Sequence, residues 1–183
     1  MHEVSLGGTL CDYLTGEARE RTTYEDLRQA LARYLVEERS FAPSCLRPRF
    51  AVSYTAAAGT QSREADLAMF SARGDLCLLL VFCPGQVHTY VREVTAMARL
   101  ALPLPAPLAV VTDMREADLF AVVSGEILAR GLGALPAQAQ LEELAARHAL
   151  PPLSPEQREK EGRILHAYTG FLKNCCGESC PIP

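Results

Sequence analysis

The sequence predicts one α/β domain with a mixed central sheet flanked by helices, followed by a helical extension at the C-terminus. Three observations carry this. The chain has 183 residues, 49% of them hydrophobic, and a mean hydropathy of +0.04, enough to bury one sizeable core. Residues 76–83, Leu-Cys-Leu-Leu-Leu-Val-Phe-Cys, are apolar throughout and stop at Pro84-Gly85, the pattern of a central strand buried on both faces. Around that run, segments with helical period alternate with short strand-like segments in the order helix, strand, strand, strand, helix, strand.

The elements follow in chain order. Gly7-Gly8 and Leu14-Thr15-Gly16-Glu17 mark a turn-rich start that reads as a short strand or hairpin. Thr22-Thr23-Tyr24-Glu25-Asp26 holds two overlapping capping boxes, Thr22 with Glu25 and Thr23 with Asp26, and its acidic pair suits a helix N-terminus. Leu27, Ala30, Leu31, Tyr34 and Leu35 then form an apolar stripe, so a helix is expected to about Arg39. Pro43 and Pro48 bracket an expected loop. Strands follow over 50–54 and 65–71, with Ala56-Ala57-Ala58-Gly59 between them. Beyond the central run, a helix is expected over 88–102, a strand over 108–111 and a hairpin over 119–129 about Ser124-Gly125. Pro136 opens a helix to about Ala149. Ser154-Pro155-Glu156-Gln157 places an N-cap, a proline in the first turn and a glutamine at N3, so a last helix should reach about Tyr168. Pro151-Pro152 divides the chain into residues 1–150, the α/β domain with its short N-terminal hairpin, and residues 151–183, a helix and cysteine-rich tail.

Charge and composition narrow the function classes. With 18 basic and 22 acidic side chains the formal net charge is −4, which argues against a strongly basic nucleic-acid binder while leaving room for a local patch. No apolar run approaches the roughly 20 residues of a membrane span, and Met1-His2-Glu3-Val4 lacks a signal-peptide pattern, so a cytoplasmic protein with no membrane partner is expected. Cys11, Cys45, Cys77 and Cys83 stand among apolar neighbours and read as core. The only lysines are Lys160 and Lys173.

Four pieces of sequence, in this order and spacing, resemble one family: Thr22-Thr23-Tyr24-Glu25-Asp26-Leu27-Arg28, Leu31-Ala32-Arg33-Tyr34-Leu35-Val36-Glu37-Glu38, Arg63-Glu64-Ala65-Asp66-Leu67, and Leu78-Leu79-Leu80-Val81-Phe82-Cys83-Pro84. Over residues 12–114 the chain is similar to the N-terminal domain of the type I restriction enzyme R subunit, of the PD-(D/E)XK nuclease-like superfamily. The resemblance implies a restriction-endonuclease-like core. It also implies a site in which a second-strand Asp and a third-strand acidic residue bind Mg²⁺, while a Lys two residues later polarises the scissile phosphate and the attacking water. Such a cation neutralises developing charge and lowers the pKa of water. Asp66 falls on the second-strand position. On the third strand, Phe82-Cys83-Pro84 stand where the family signature is Glu-Cys-Lys. Phe82 cannot ligate magnesium, Pro84 carries no charge, and no lysine precedes Lys160.

Residues that might rebuild such a site are few. Glu64 and Asp66, two apart on a strand, share a face, so the pair is the candidate catalytic remnant, with Glu37 or Glu38 as a further carboxylate. Arg92 and Arg99 are candidate phosphate contacts, against the plainer reading of solvated helix-face residues. Cys175, Cys176 and Cys180 offer three thiols suited to Zn²⁺, with His166 or Cys11 as a fourth ligand; a tail disulfide and plain reactive thiols are the other readings. No Gly-x-Ser-x-Gly, Walker loop, His-Glu-x-x-His or helicase motor motif occurs, so DNA translocation is not expected of these residues.

Three readings therefore stand. The first is a catalytically silent nuclease-like domain that acts as a binding or interaction module, with DNA or a protein as partner and no cofactor. The second is a Mg²⁺-dependent endonuclease rearranged around Asp66 and Glu64. The third is a thiol or zinc protein working through its tail. The first accounts for the missing Glu and Lys directly.

Overall fold

The computed structural model describes residues 3–56 and 59–176, with side chains described up to Thr169 apart from Ala134. Its centre is a six-stranded sheet in the order β3-β4-β5-β6-β7-β8: β3 Leu46–Ala56, β4 Gly59–Phe70, β5 Leu76–Phe82, β6 Leu108–Thr112, β7 Ala117–Ala121 and β8 Ile127–Arg130. Strands β5 and β6 run parallel, joined through helix α2, Val87–Leu100, and every other neighbouring pair is antiparallel. The expected mixed α/β sheet is thus the fold, with the Leu76–Phe82 strand central and every one of its residues buried. A separate two-stranded ribbon, β1 Ser5–Cys11 with β2 Ala18–Thr22, precedes helix α1, Thr23–Arg39. Helices α3, Gln138–Arg147, and α4, Pro155–Cys176, follow the sheet.

Two apolar layers sandwich the sheet. On one face Leu31 and Leu35 of α1 and Leu141 of α3 pack against Leu67, Leu78, Leu80 and Val110. On the other, Val94, Met97 and Leu100 of α2 and Leu165 of α4 pack against Ala68, Leu79, Val81 and Phe120. Burying a Leu, Met or Phe contributes roughly 1.5–3 kcal/mol each, so these two layers supply the main drive for folding. Because Leu165 belongs to the second layer, α4 packs on the sheet that the earlier residues build.

Several boundaries differ from those expected. Strand β3 starts at Leu46 and carries Pro48 inside it, where a loop was expected, because an edge strand tolerates a residue without an N–H. Strand β4 begins at Gly59 and pairs only with β3 until Leu67, so the β3–β4 hairpin projects beyond the carboxyl end of β5. Cys11 is exposed at the end of β1, whereas Cys45, Cys77 and Cys83 are buried as expected. Helix α4 is capped by Ser154, whose Oγ accepts from the Gln157 N–H at 3.2 Å while Gln157 accepts from the Ser154 N–H at 2.8 Å, and it continues past Tyr168 to Cys176.

One irregularity positions the site. Ala65 packs in the α2-side layer but Leu67 in the α1-side layer, so strict strand alternation breaks at Asp66. Opposite, Arg49 has φ 50°, a left-handed value rare for a residue with a side chain. The break turns Asp66 toward α1.

Candidate functional site

Helix α1 begins with the Thr22 Oγ1 accepting from the Glu25 N–H at 3.0 Å, one of the two caps expected. The Glu25 side chain, however, turns into the protein. Glu25, Arg28 and Gln29 lie three and four residues apart on one buried helix face. Arg28 donates from Nη2 and Nε to Asp66 Oδ1, at 2.9 and 3.3 Å, and from Nη1 to Glu25. The second Asp66 oxygen accepts from the Phe82 N–H at 2.7 Å, which ties Asp66 to the last residue of β5.

The cluster runs further inward. Arg49 pairs with Glu25 and, at 3.5 Å, with Asp12. The Gln29 amide donates to Glu25 at 2.6 Å and to Asp12 at 3.2 Å, and Asp12 also accepts from the N–H groups of Leu14 and Thr15. Asp66, Arg28, Glu25, Arg49 and Asp12 therefore alternate in sign along one buried chain. Burial pushes the Asp66 carboxyl above its ordinary value, against the pull of Arg28 and the Phe82 N–H. Burial would raise Asp12 too, but the Thr15 and Leu14 N–H groups, Gln29 and Arg49 together hold it below its ordinary value.

A cavity of about 140 Å³ opens at this end of β5, lined by Tyr24, Arg28, Arg63, Glu64, Asp66 and Phe82 among others. Phe82 meets the Tyr24 ring edge to face, with centroids 5.6 Å apart. Arg63, on the rim, donates from Nε to the fully buried Glu93 at 3.1 Å, and the other Glu93 oxygen has no hydrogen-bond partner among the described residues. A larger cleft, about 450 Å³, lies at the opposite end of β5 between Leu76, Pro105, Pro107 and Ala145, and none of the expected site residues lines it.

Of the expected residues, Glu64 and Asp66 do share the cavity, Glu64 being exposed at its edge. Glu37 and Glu38 are exposed on α1 nine and ten residues past Arg28, about 14 Å along a helix axis rising 1.5 Å per residue, and do not join it. Arg92 and Arg99, candidate phosphate contacts against the plainer reading of solvated helix-face residues, are both engaged within the fold. Both guanidiniums face the Glu161 carboxylate of α4, each with a 2.8 Å contact. Cys175 and Cys176 close helix α4, past its expected end near Tyr168; their side chains, and all of Cys180, lie outside the described residues. Cys11 donates to the Gly16 carbonyl at 3.4 Å, and exposed His166 lies against Tyr54 with ring centroids 6.3 Å apart. Among the described residues no three His, Cys, Asp or Glu side chains converge as a metal site.

Sequence reading missed Glu25, Arg28, Gln29, Arg49 and Asp12. A trace existed: polar residues at the spacing of Glu25, Arg28 and Gln29 form a polar face beside the apolar stripe of α1.

Fold and site together define a mixed-sheet α/β domain in which an aspartate of β4, held by a helix-borne arginine, accepts from the last residue of the central strand. The family model described as type I restriction enzyme R protein N terminus (HSDR_N) matches residues 23–136, and the chain belongs to that family. No curated protein and no solved structure matches it. No helix among the described residues is long and apolar enough to cross a membrane.

Proposed function

We propose that the chain is a catalytically silent member of this family that acts as a DNA-binding module rather than as a nuclease. One observation carries the reading: both oxygens of Asp66 are already engaged, Oδ1 by the Arg28 guanidinium and Oδ2 by the Phe82 N–H. Magnesium needs near-octahedral oxygen ligands, contributed by carboxylates and water. Here the third-strand position presents the apolar ring of Phe82, the next-but-one position is Pro84, and Glu25 is spent on Arg28 and Arg49. Glu64 supplies one exposed carboxylate, and the other nearby charges are guanidiniums. This donor set does not fit a hydrolytic magnesium site, and no lysine before Lys160 is available to polarise a phosphate.

The family supports DNA as the partner class. Binding to a backbone of phosphates neutralised by arginine falls steeply with added salt. The test joins two measurements on the full chain. Plasmid incubated with Mg²⁺ or Mn²⁺ is expected to stay intact, while anisotropy with a labelled duplex is expected to show salt-dependent binding. Cleavage that vanishes in Asp66→Ala would restore the nuclease reading, and absence of binding at low salt would remove the DNA partner.

A further inference from the structure

Helix α4 lies outside the family-matched residues 23–136, yet it carries the group that neutralises both α2 arginines. Glu161 is buried and its two oxygens are divided, Oε1 to Arg99 and Oε2 to Arg92. The geometry is that of one anion clasped between two guanidiniums, the arrangement arginine pairs adopt on a phosphate. The Arg92 contact is close but poorly directed: Arg92 Nη1 and Glu161 Oε2 make no properly aligned hydrogen bond. Neither arginine is sealed in, the side chains being 39% and 28% exposed.

The seat of α4 is shallow. Over residues 155–169 only Glu161, Gly162 and Leu165 are buried. By contrast α2 buries Val87, Val94, Ala96, Met97, Ala98 and Leu100. Gly162 packs so closely on β3 that a Cβ there would lie 2.8 Å from the Thr55 carbonyl oxygen. Arg158 adds one hydrogen bond, to the Leu100 carbonyl at 3.0 Å. The segment leading into α4 is exposed at Pro151 and Pro152. Leu165 and the partly buried Ile164, one close backbone contact, the Arg158 hydrogen bond and the charge clasp hold this helix, and an anion that replaces Glu161 weakens the hold directly.

We infer that α4 is a releasable strap: Arg92 and Arg99 form a phosphate site that Glu161 occupies in the closed chain, and the nucleic-acid backbone displaces it. This names the surface for the partner proposed above and rests on that reading. The guanidiniums keep their charge balance throughout, exchanging a carboxylate for a phosphate.

Hydrogen exchange of the full chain, with and without a short DNA duplex at low salt, reads the strap directly. Duplex is expected to speed exchange of the α4 amides over residues 158–169 while α2 and β5 stay protected. Glu161→Gln, which keeps size and shape, is expected to tighten duplex binding about tenfold, the scale of one charge-assisted hydrogen bond, and adding Arg92→Ala and Arg99→Ala is expected to cancel the gain. Duplex binding with α4 exchange unchanged would overturn the strap and leave the DNA-binding function standing. No binding by either the wild-type chain or Glu161→Gln would overturn both. Release of α4 by inorganic phosphate as effectively as by duplex would overturn the nucleic-acid occupant.

Discussion

Arg28 and Asp66, thirty-eight residues apart in sequence, meet across the interface between α1 and the sheet through a 2.9 Å charge-assisted hydrogen bond. The same guanidinium also pairs with Glu25, which Arg49 holds as well, so Arg28 links two carboxylates that have little access to water. Removing one partner of a buried pair leaves an uncompensated charge, typically at a cost of 3–5 kcal/mol, far above the value of a surface pair. Arg28→Ala is therefore expected to lose about 3–5 kcal/mol of unfolding free energy in urea titrations. A loss below about 1 kcal/mol would mean the cluster is solvated.

Gly162→Ala sets two effects against each other. Alanine in a helix interior gains about 1 kcal/mol over glycine. The new methyl would stand 2.8 Å from a backbone oxygen that no side-chain rotation can move, and such overpacking costs about 1–3 kcal/mol. The expected outcome is net destabilisation, concentrated in α4 and read as faster exchange there. A variant as stable as the parent would show that α4 shifts freely on β3.

Acid should loosen the chain through Glu161 and Asp12. Burial would raise Glu161, but Arg92 and Arg99 together hold it below its ordinary value of 4.5. A depressed carboxylate contributes stability that is present above its unfolded value and is lost as pH falls through the folded one. Asp66, held above 3.8 by burial, has the opposite sign: its contribution is present below that value and fades as pH rises through its folded value. Urea midpoints are expected to drop on acidification below the range of 4.5, and Glu161→Gln is expected to drop less. Equal slopes for the two proteins would remove Glu161 from the account.

Thiol chemistry separates the described cysteines. Burial pushes the Cys77 and Cys83 thiols up to about 11, so both stay protonated and inert in mildly alkaline buffer, while Cys11 is exposed. Iodoacetamide on the native chain, followed by peptide mass spectrometry, is expected to modify Cys11 and spare Cys77 and Cys83. Labelling of Cys83 at the rate of Cys11 would show that the end of β5 opens readily.

What could be read from sequence was local. The Leu76–Phe82 strand was legible because burial on both faces leaves no polar residue in the run, and α1 was legible because its cap and apolar stripe are encoded within a few turns. Pro48 misled because proline marks a loop in most contexts and an edge strand in this one. Glu25 was read as a capping residue, since a Thr three positions before a Glu gives the same local signal whether the carboxylate folds back or points inward to Arg28 and Arg49. Glu161 could not be assigned at all, because its partners Arg92 and Arg99 are 69 and 62 residues away and only the packing of α4 on α2 brings them together. The resemblance singled out Asp66, Phe82 and Pro84, but the guanidinium lying against Asp66 was not visible.

The central claim is that Arg28, and no divalent cation, balances Asp66. Paramagnetic relaxation of the backbone amides of Asp66, Leu67 and Phe82 during Mn²⁺ titration tests it most directly. The expected result is no selective broadening at these amides, with no difference between the wild-type chain and Asp66→Asn. Saturable broadening centred on Asp66 and Phe82, abolished in Asp66→Asn, would contradict it.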